Sequence, residues 1–202
     1  MRKDWFLYEN EAIKSGYKVV CGVDEAGRGP LAGPVFAAAV VLPPNLTIEG
    51  LDDSKKLSEK KREVLYDKIK SLAVDFNIAF ATEKEIDEIN ILNATFIAMK
   101  RAVEGLKVKP DIALIDGNRS PELNLQTQTI IKGDSLSSSI AAASILAKVE
   151  RDRLMKILSE KYPQYGFEKH KGYGTKLHIE SIKKYGLCSI HRKSFLKKIL
   201  GE

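Results

Sequence analysis

A mixed α/β fold around a central sheet is what this 202-residue chain predicts, and three features carry the expectation. Two apolar, Val-rich runs at 19–24 and 35–42 read as buried strands. Val74, Phe76, Ile78 and Phe80 alternate with other residues, the period of a half-buried strand. Elsewhere apolar residues recur three and four apart, the spacing of a helix face laid on a sheet.

Taken in order, residues 4–14 read as a short amphipathic helix closed by Gly16. The runs at 19–24 and 35–42 flank a Gly- and Pro-rich connection, 26–34, and should make a hairpin-like pair with an elaborate turn. Ser58 can cap a helix running to about Leu72, and the alternating strand follows it. Thr82 and Glu85 have capping-box spacing and open a helical stretch. In it Leu92, Phe96, Met99, Val103 and Leu106 share one face, until Pro110 stops the helix. Ile112-Ala113-Leu114-Ile115 reads as a short buried strand and 128–132 as another. The Ser/Ala/Ile stretch 135–156 is helical, most strongly in its later half. The tail alternates loops with short helices, broken at Pro163, Gly166, Gly172, Gly174 and Gly186.

No internal repeat or linker interrupts this order, and the length suits one domain. Lys and Arg outnumber Asp and Glu by 33 to 27, a formal charge of +6 that favours polyanionic partners only weakly. The two cysteines, Cys21 and Cys188, form no CxxC pair, which argues against a zinc knuckle or a disulfide framework. Cys21 lies in an apolar run and reads as a buried thiol. The charged N-terminus leads into no signal-peptide core, and the longest apolar run, 35–42, is too short to span a bilayer. A soluble cytoplasmic protein is the expectation, with no membrane partner.

Four carboxylates fall at the ends of these elements. Asp24 and Glu25 close the first strand, Asp116 closes the strand 112–115, and Asp134 follows Ile130-Ile131-Lys132-Gly133. Strand ends present side chains to a shared cleft, where several acids need a hard cation to be tolerated. Neighbours on a regular strand point to opposite faces, so Asp24 and Glu25 can share a metal only if the strand bends or ends between them. Ala26-Gly27 supplies that freedom. Each acid also has a plainer reading: Asp134 as N-cap of the helix after it, Asp116-Gly117-Asn118 as a turn, Asp24-Glu25 as solvated charges.

The connection Gly27-Arg28-Gly29-Pro30-Leu31-Ala32-Gly33-Pro34 is neither a P-loop nor a GxGxxG turn. Its glycines let main-chain groups approach a ligand closely, and Arg28 is a phosphate-seeking cation. The plainer reading is an ordinary turn between strands.

Together with Gly22-Val23-Asp24-Glu25-Ala26 before it, this segment resembles the signature of type-2 ribonuclease H. The resemblance continues in order through Asp53-Ser54-Lys55-Lys56-Leu57 and Leu114-Ile115-Asp116-Gly117-Asn118. It runs on through Lys132-Gly133-Asp134-Ser135, Ser139-Ile140-Ala141-Ala142-Ala143-Ser144, His170-Lys171-Gly172-Tyr173-Gly174-Thr175 and Ile190-His191-Arg192-Lys193-Ser194-Phe195. Nearly the whole chain from about Lys18 onward is covered.

The resemblance implies a ribonuclease-H-like mixed central sheet flanked by helices, with a helical C-terminal extension. It places a catalytic core at about 18–160, the extension at 161–202 and a short helical segment at 1–17. Asp24, Glu25, Asp116 and Asp134 would be the catalytic residues and would hold two Mg²⁺ or Mn²⁺ ions. The activity implied is hydrolysis of the RNA strand of RNA–DNA hybrids and cutting 5′ of ribonucleotides embedded in duplex DNA, leaving 5′-phosphate and 3′-hydroxyl ends. Gly27, Arg28 and Gly29 would read the ribose 2′-hydroxyl, which separates RNA from DNA. Tyr173, among Lys169, Lys171 and Lys176, would stack on the nucleotide 3′ of the cut. Lys55 and Lys56 are candidate phosphate contacts and Asn118 a further substrate contact, although a solvated helix start explains the lysines nearly as well. His170, His178 and His191 read as structural or surface residues, and Arg192 has no assigned role. A monomer is expected.

Type-3 ribonuclease H carries an additional N-terminal domain and normally lacks the Gly-Arg-Gly form. With Asp24 so near the start, type 2 is the expectation. A Holliday-junction resolvase of the same fold would use such acids without a ribose reader, and a non-catalytic nucleic-acid-binding module would need no acids.

Overall fold

The structure, a computed structural model, describes residues 4–200. Five strands, β1 (Val20–Ala26), β2 (Val35–Val41), β3 (Asp75–Ala81), β4 (Ile112–Asp116) and β5 (Gln126–Ile130), form one mixed sheet in the order β3-β2-β1-β4-β5. The first three run as an antiparallel meander, and β4 and β5 lie parallel to β1. The expected pairing of the two Val-rich runs is therefore present, with Asp24 opposite Ala38 and Glu25 opposite Ala37.

Side-chain parity along the strands sorts the core into two layers. Odd-numbered residues of the central strands (Cys21, Val23, Val35, Ala37, Ala39, Ala113, Ile115) face the helix α3 (Glu83–Glu104). Even-numbered Phe36, Ala38 and Val40 face α2 (Glu59–Leu72) and α4 (Ser138–Lys161). With both faces covered, β2 is buried at every residue, which is why its sequence is a continuous apolar run. The alternating β3 is an edge strand. Phe76 and Ile78 pack toward α2 and α4, while Phe80 stays 46% exposed and stacks on Phe36 at 5.3 Å.

Gly22 is where α4 comes closest to the sheet. A Cβ there would sit 2.2 Å from the carbonyl carbon of Ser139, so only glycine admits this approach. The small side chains Ala141, Ala142, Ala143 and Ser144 keep the following turn close as well.

The caps at Ser58 and at Thr82 with Glu85 are both formed. Several boundaries differ from expectation, three of them with a visible cause. Asn90 has φ +69° and breaks α3; its Oδ1 accepts from the N–H groups of Leu92 and Asn93 and starts a second helical run. Strand β5 lies two residues earlier than 128–132, because Lys132 turns into the left-handed region at φ +58°. Helix α4 begins at Ser138, capped by Ser137, and not directly after Asp134.

The short helix α1 (Leu7–Lys14) sets Glu9 against the start of α4, where its Oε1 accepts from the Ser137 and Ser139 hydroxyls and the Ser139 N–H. Past α4 come α5 (Phe167–His170), α6 (Lys176–Tyr185) and α7 (Lys193–Leu200), the helical C-terminal portion. Asp87 of α3 accepts from the N–H groups of Lys193 and Ser194, and Leu196 is fully buried, so this tail caps the core. Gly201 and Glu202 lie outside the described residues. No described helix is long and apolar enough to cross a membrane.

Candidate active site

Asp24, Asp116 and Asp134 come together at one end of the sheet. One carboxylate oxygen from each lies within 4.8 Å of the other two. Parity explains the first pair: Asp24 and Asp116 are even-numbered residues on neighbouring parallel strands, and both leave the sheet on the α4 side. The 3-10 turn Gly133–Ser135 after β5 brings in the third, and the Asp134 N–H reaches Asp116 Oδ1 at 3.4 Å.

Glu25 is placed differently. Strand β1 does not end or bend before it; Ala26 is still paired with Phe36. The expected break between Asp24 and Glu25 is absent, and Glu25 leaves the opposite face because strand pleating carries through it. It lines a groove with Arg28, Phe96, Asp116 and Asn118, and its Oε1 lies 3.6 Å from Arg28 Nη1. Asp116 is common to both sides, so the four acids form a trio with Glu25 flanking it.

The electrostatics of the cluster are unfavourable for a protein alone. Burial, then the charges of Glu25 and Asp116, push Asp24 well above the ordinary carboxylate range, against hydrogen bonds from the Ser144 hydroxyl and the Glu25 N–H. Burial and the charge of Asp134 raise Asp116. Burial also raises Glu25, with Arg28 opposing it. Lys55 is the nearest cation, 3.2 Å from Asp134 Oδ2; burial lowers it, yet the Asp134 bond and surrounding acids leave it above the usual lysine range. Lys56 points elsewhere and pairs with Asp52 at 3.4 Å. Among the described residues, Asp24 and Asp116 have no ion-pair partner at all. An all-oxygen set that is buried and starved of positive charge suits a hard divalent ion.

Ser54 and Ser144 were legible only as parts of longer motifs. Their hydroxyls lie 2.8 Å apart in the core, so the 53–57 segment supports the residue that supports Asp24. Asp134 is not a cap, since Ser137 caps α4; its side chain turns to Lys55 and the other acids.

The Gly27-Arg28-Gly29 loop is laced to the C-terminal portion. Leu31 N–H donates to Gly172, Gly33 N–H to Ile190 and Arg192 N–H to Leu31. Gly27 has φ +101°, and a Cβ on it would meet Arg151 Nε at 2.0 Å. Tyr173 is 45% exposed and stands over Gly29, with its Cε1 3.6 Å from where a Cβ would be. Behind it the three histidines, scattered in sequence, are buried together: His170 stacks on His178 at 4.6 Å and His178 on His191 at 5.2 Å. His191 Nδ1 accepts from the Cys188 N–H, so its Nε2–H donates to His178 Nε2, whose Nδ1–H donates to the Tyr173 carbonyl. They are structural, not surface, residues, and no local pattern announced their meeting.

A mixed sheet in this order, with a carboxylate trio at the ends of parallel neighbours, defines a metal-dependent hydrolase of the ribonuclease-H-like class. The chain belongs to the ribonuclease HII family: the family model described as Ribonuclease HII matches residues 21–198. It is 58% identical over 198 residues to a ribonuclease HII of Caldicellulosiruptor saccharolyticus, covering 98% of this chain and 97% of that one. Among solved structures it resembles the ribonuclease H2 of Pyrococcus horikoshii, with TM-score 0.74, 30% identity and coverage of 90% of this chain and 97% of that one. It shares its fold with Bst-RNase HIII in complex with Mn²⁺, at TM-score 0.68 and 18% identity over 94% of this chain and 71% of that one. Membership carries ribonuclease H endonuclease activity on RNA–DNA hybrids and dependence on a divalent metal.

Proposed function

We propose that the protein also cuts 5′ of single ribonucleotides embedded in duplex DNA, through two Mg²⁺ or Mn²⁺ ions held by Asp24, Asp116 and Asp134 with Glu25 beside them. The observation that carries the metal assignment is the buried trio itself, whose oxygens crowd within 4.8 Å while the nearby Lys55 pairs with Asp134 and not with Asp24 or Asp116. The Mn²⁺ in the solved Bst-RNase HIII complex gives the choice of ion some support. Divalent ions in such a site supply Lewis acidity and a more acidic water for in-line displacement.

The protein's own residues do the rest. Ser144 and the Glu25 N–H hold the Asp24 carboxylate in one orientation. Lys55 balances Asp134 and, at 75% side-chain exposure, can release it to a substrate phosphate. Gly27-Arg28-Gly29 reads the ribose through main-chain groups, Asn118 and Arg28 line the adjoining groove, and the Tyr173 ring stacks on the 3′ neighbour. Lys56, paired on the surface, is the weakest of the candidate phosphate contacts.

An end-labelled duplex with one ribonucleotide tests this. Metal-dependent cutting on its 5′ side, with 3′-hydroxyl and 5′-phosphate products, is expected, and the all-deoxy duplex should stay intact. Cutting that ignores the ribose would favour a resolvase-like nuclease instead.

A further inference from the structure

Arg151 and Arg192 are the largest fully buried side chains, and every hydrogen bond of either guanidinium goes to a main-chain carbonyl. A buried guanidinium ordinarily demands a carboxylate. Here the charge is committed to holding loops. Arg192 donates from Nη2 to the Gly27 carbonyl at 2.6 Å, from Nη1 to that of Arg28 at 2.9 Å and from Nε to that of Gly33 at 2.8 Å. Arg151 passes beneath Gly27 and ties Ala32 and Pro34 to Lys171, two residues before Tyr173.

The direction of these bonds has a consequence. In a trans peptide the C=O and the N–H point opposite ways, and the chain has no cis bond among its described residues. The Gly27 carbonyl shares its peptide with the Arg28 N–H, and the Arg28 carbonyl with the Gly29 N–H. Drawing both carbonyls inward onto Arg192 turns both N–H groups outward, and neither meets a protein acceptor among the described residues. A charge-assisted bond at each carbonyl also polarises its peptide and strengthens the N–H as a donor.

We propose that Arg192 is the positioning residue of the ribose-reading loop: it draws in the carbonyls of Gly27 and Arg28 so that the N–H groups of Arg28 and Gly29 stand side by side, facing out beside Tyr173, as a donor pair for a 2′-hydroxyl. The inference rests on the reading of Gly27-Arg28-Gly29 as the ribose reader. It adds what makes that reader, with the C-terminal portion supplying the guanidinium that shapes a loop 164 residues away along the chain.

The test crosses a protein change with a substrate change. Full-length wild type and Arg192→Lys are assayed with Mn²⁺ on a duplex carrying one ribonucleotide. The same duplex with 2′-deoxy-2′-fluororibose at that place is the second substrate, its fluorine being a poor hydrogen-bond acceptor. A lysine can hold one carbonyl but cannot fork across two. Arg192→Lys should lower kcat on the ribonucleotide duplex on the order of 100-fold, with KM little changed, as expected when a contact near the chemistry is misplaced. On the fluoro substrate the loss should be far smaller, because the contact is already missing there. Ile182→Val, in the C-terminal cluster, is the control, expected to alter stability and not the ratio of the two substrates. Equal losses on both substrates, or wild-type kcat, overturn the proposal. If the lysine variant does not fold, Arg192→Gln goes through the same comparison. A wild type that cuts both substrates equally well would remove the ribose-reading role itself, which separates failure of that reading from failure of this one.

Discussion

Gly22 of β1 and Ser139 of α4 meet backbone to backbone, so closely that a single methyl group on Gly22 would fall 2.2 Å from the Ser139 carbonyl carbon and 2.3 Å from the Ile140 nitrogen. Two residues further along β1 is Asp24, and just over one helical turn further along α4 is Ser144, its hydrogen-bond donor. The backbone contact therefore sets the spacing at which the acid meets its support. Gly22→Ala should destabilise the fold by about 1–3 kcal/mol through overpacking. A lower urea midpoint together with lost cleavage is the expected pair of results, and a variant with both unchanged would show that α4 is not held at this distance.

Neutralising the trio should separate stability from activity. Asp24→Asn and Asp116→Asn each remove a charge that its neighbours repel, so the metal-free variants should melt at or above the wild-type temperature while cleavage disappears. Asp134→Asn should be no milder. Ser137 caps α4, so an asparagine at 134 retains no capping role that would cushion the loss. Near-wild-type turnover by any of the three would remove that residue from the site.

Metal-free stability should depend on pH in two opposing ways. Asp24 and Asp116 are raised in the folded state, so their contribution is fully present below the unfolded value of about 4 and is lost as pH rises through the folded value. His178 and His191 are held down to about 4 by burial, so theirs is present above their ordinary 6.5 and is lost as pH falls through about 4. As the pH falls the acids should stabilise the metal-free protein while the histidines destabilise it, and Asp24→Asn should flatten the acids' part of that slope. Saturating Mg²⁺ should flatten it too, because ion and proton compete for the same oxygens. Urea midpoints at several pH values, with and without Mg²⁺, measure this, and a slope indifferent to both Asp24→Asn and Mg²⁺ would place the acids' strain elsewhere.

Tyr173 presents its ring beside Gly29 while its carbonyl is fixed by the His178–His191 pair. Removing the ring should forfeit a stacking surface of about 1–3 kcal/mol. Tyr173→Phe should retain most activity, and Tyr173→Ala should lose more on a duplex with one ribonucleotide than on a continuous RNA strand paired with DNA. Comparable losses on both substrates would reduce Tyr173 to a support of its loop.

Much of this was legible in the residues, and the limits have physical causes. Apolar runs, one alternating run and period-3.6 spacing announced most strands and helices, because those patterns report which faces are buried, and capping residues marked the helix starts after Ser58 and Thr82. The meeting of Asp24, Asp116 and Asp134 could be anticipated from their places at element ends. Parity alone would have sent Glu25 to the other face, had the strand been read through Ala26. What stayed hidden depends on long-range partners. Asn90 breaks α3 by capping its own next turn, a choice invisible to apolar spacing. Arg151 and Arg192 look like surface residues until the carbonyls of a distant loop are seen around them. The three histidines become one buried stack only when α5, α6 and the 188–192 turn pack together.

Cleavage is proposed to run on divalent ions held by this trio. The most direct measurement is Mn²⁺ binding by calorimetry and cleavage of the single-ribonucleotide duplex, made on the same samples of wild type and Asp116→Asn. Wild type should bind the ion, and its rate should rise with Mn²⁺. Asp116→Asn, still folded, should lose both. Undiminished Mn²⁺-dependent cleavage by Asp116→Asn, or wild-type cleavage at full rate after exhaustive chelation, would contradict it.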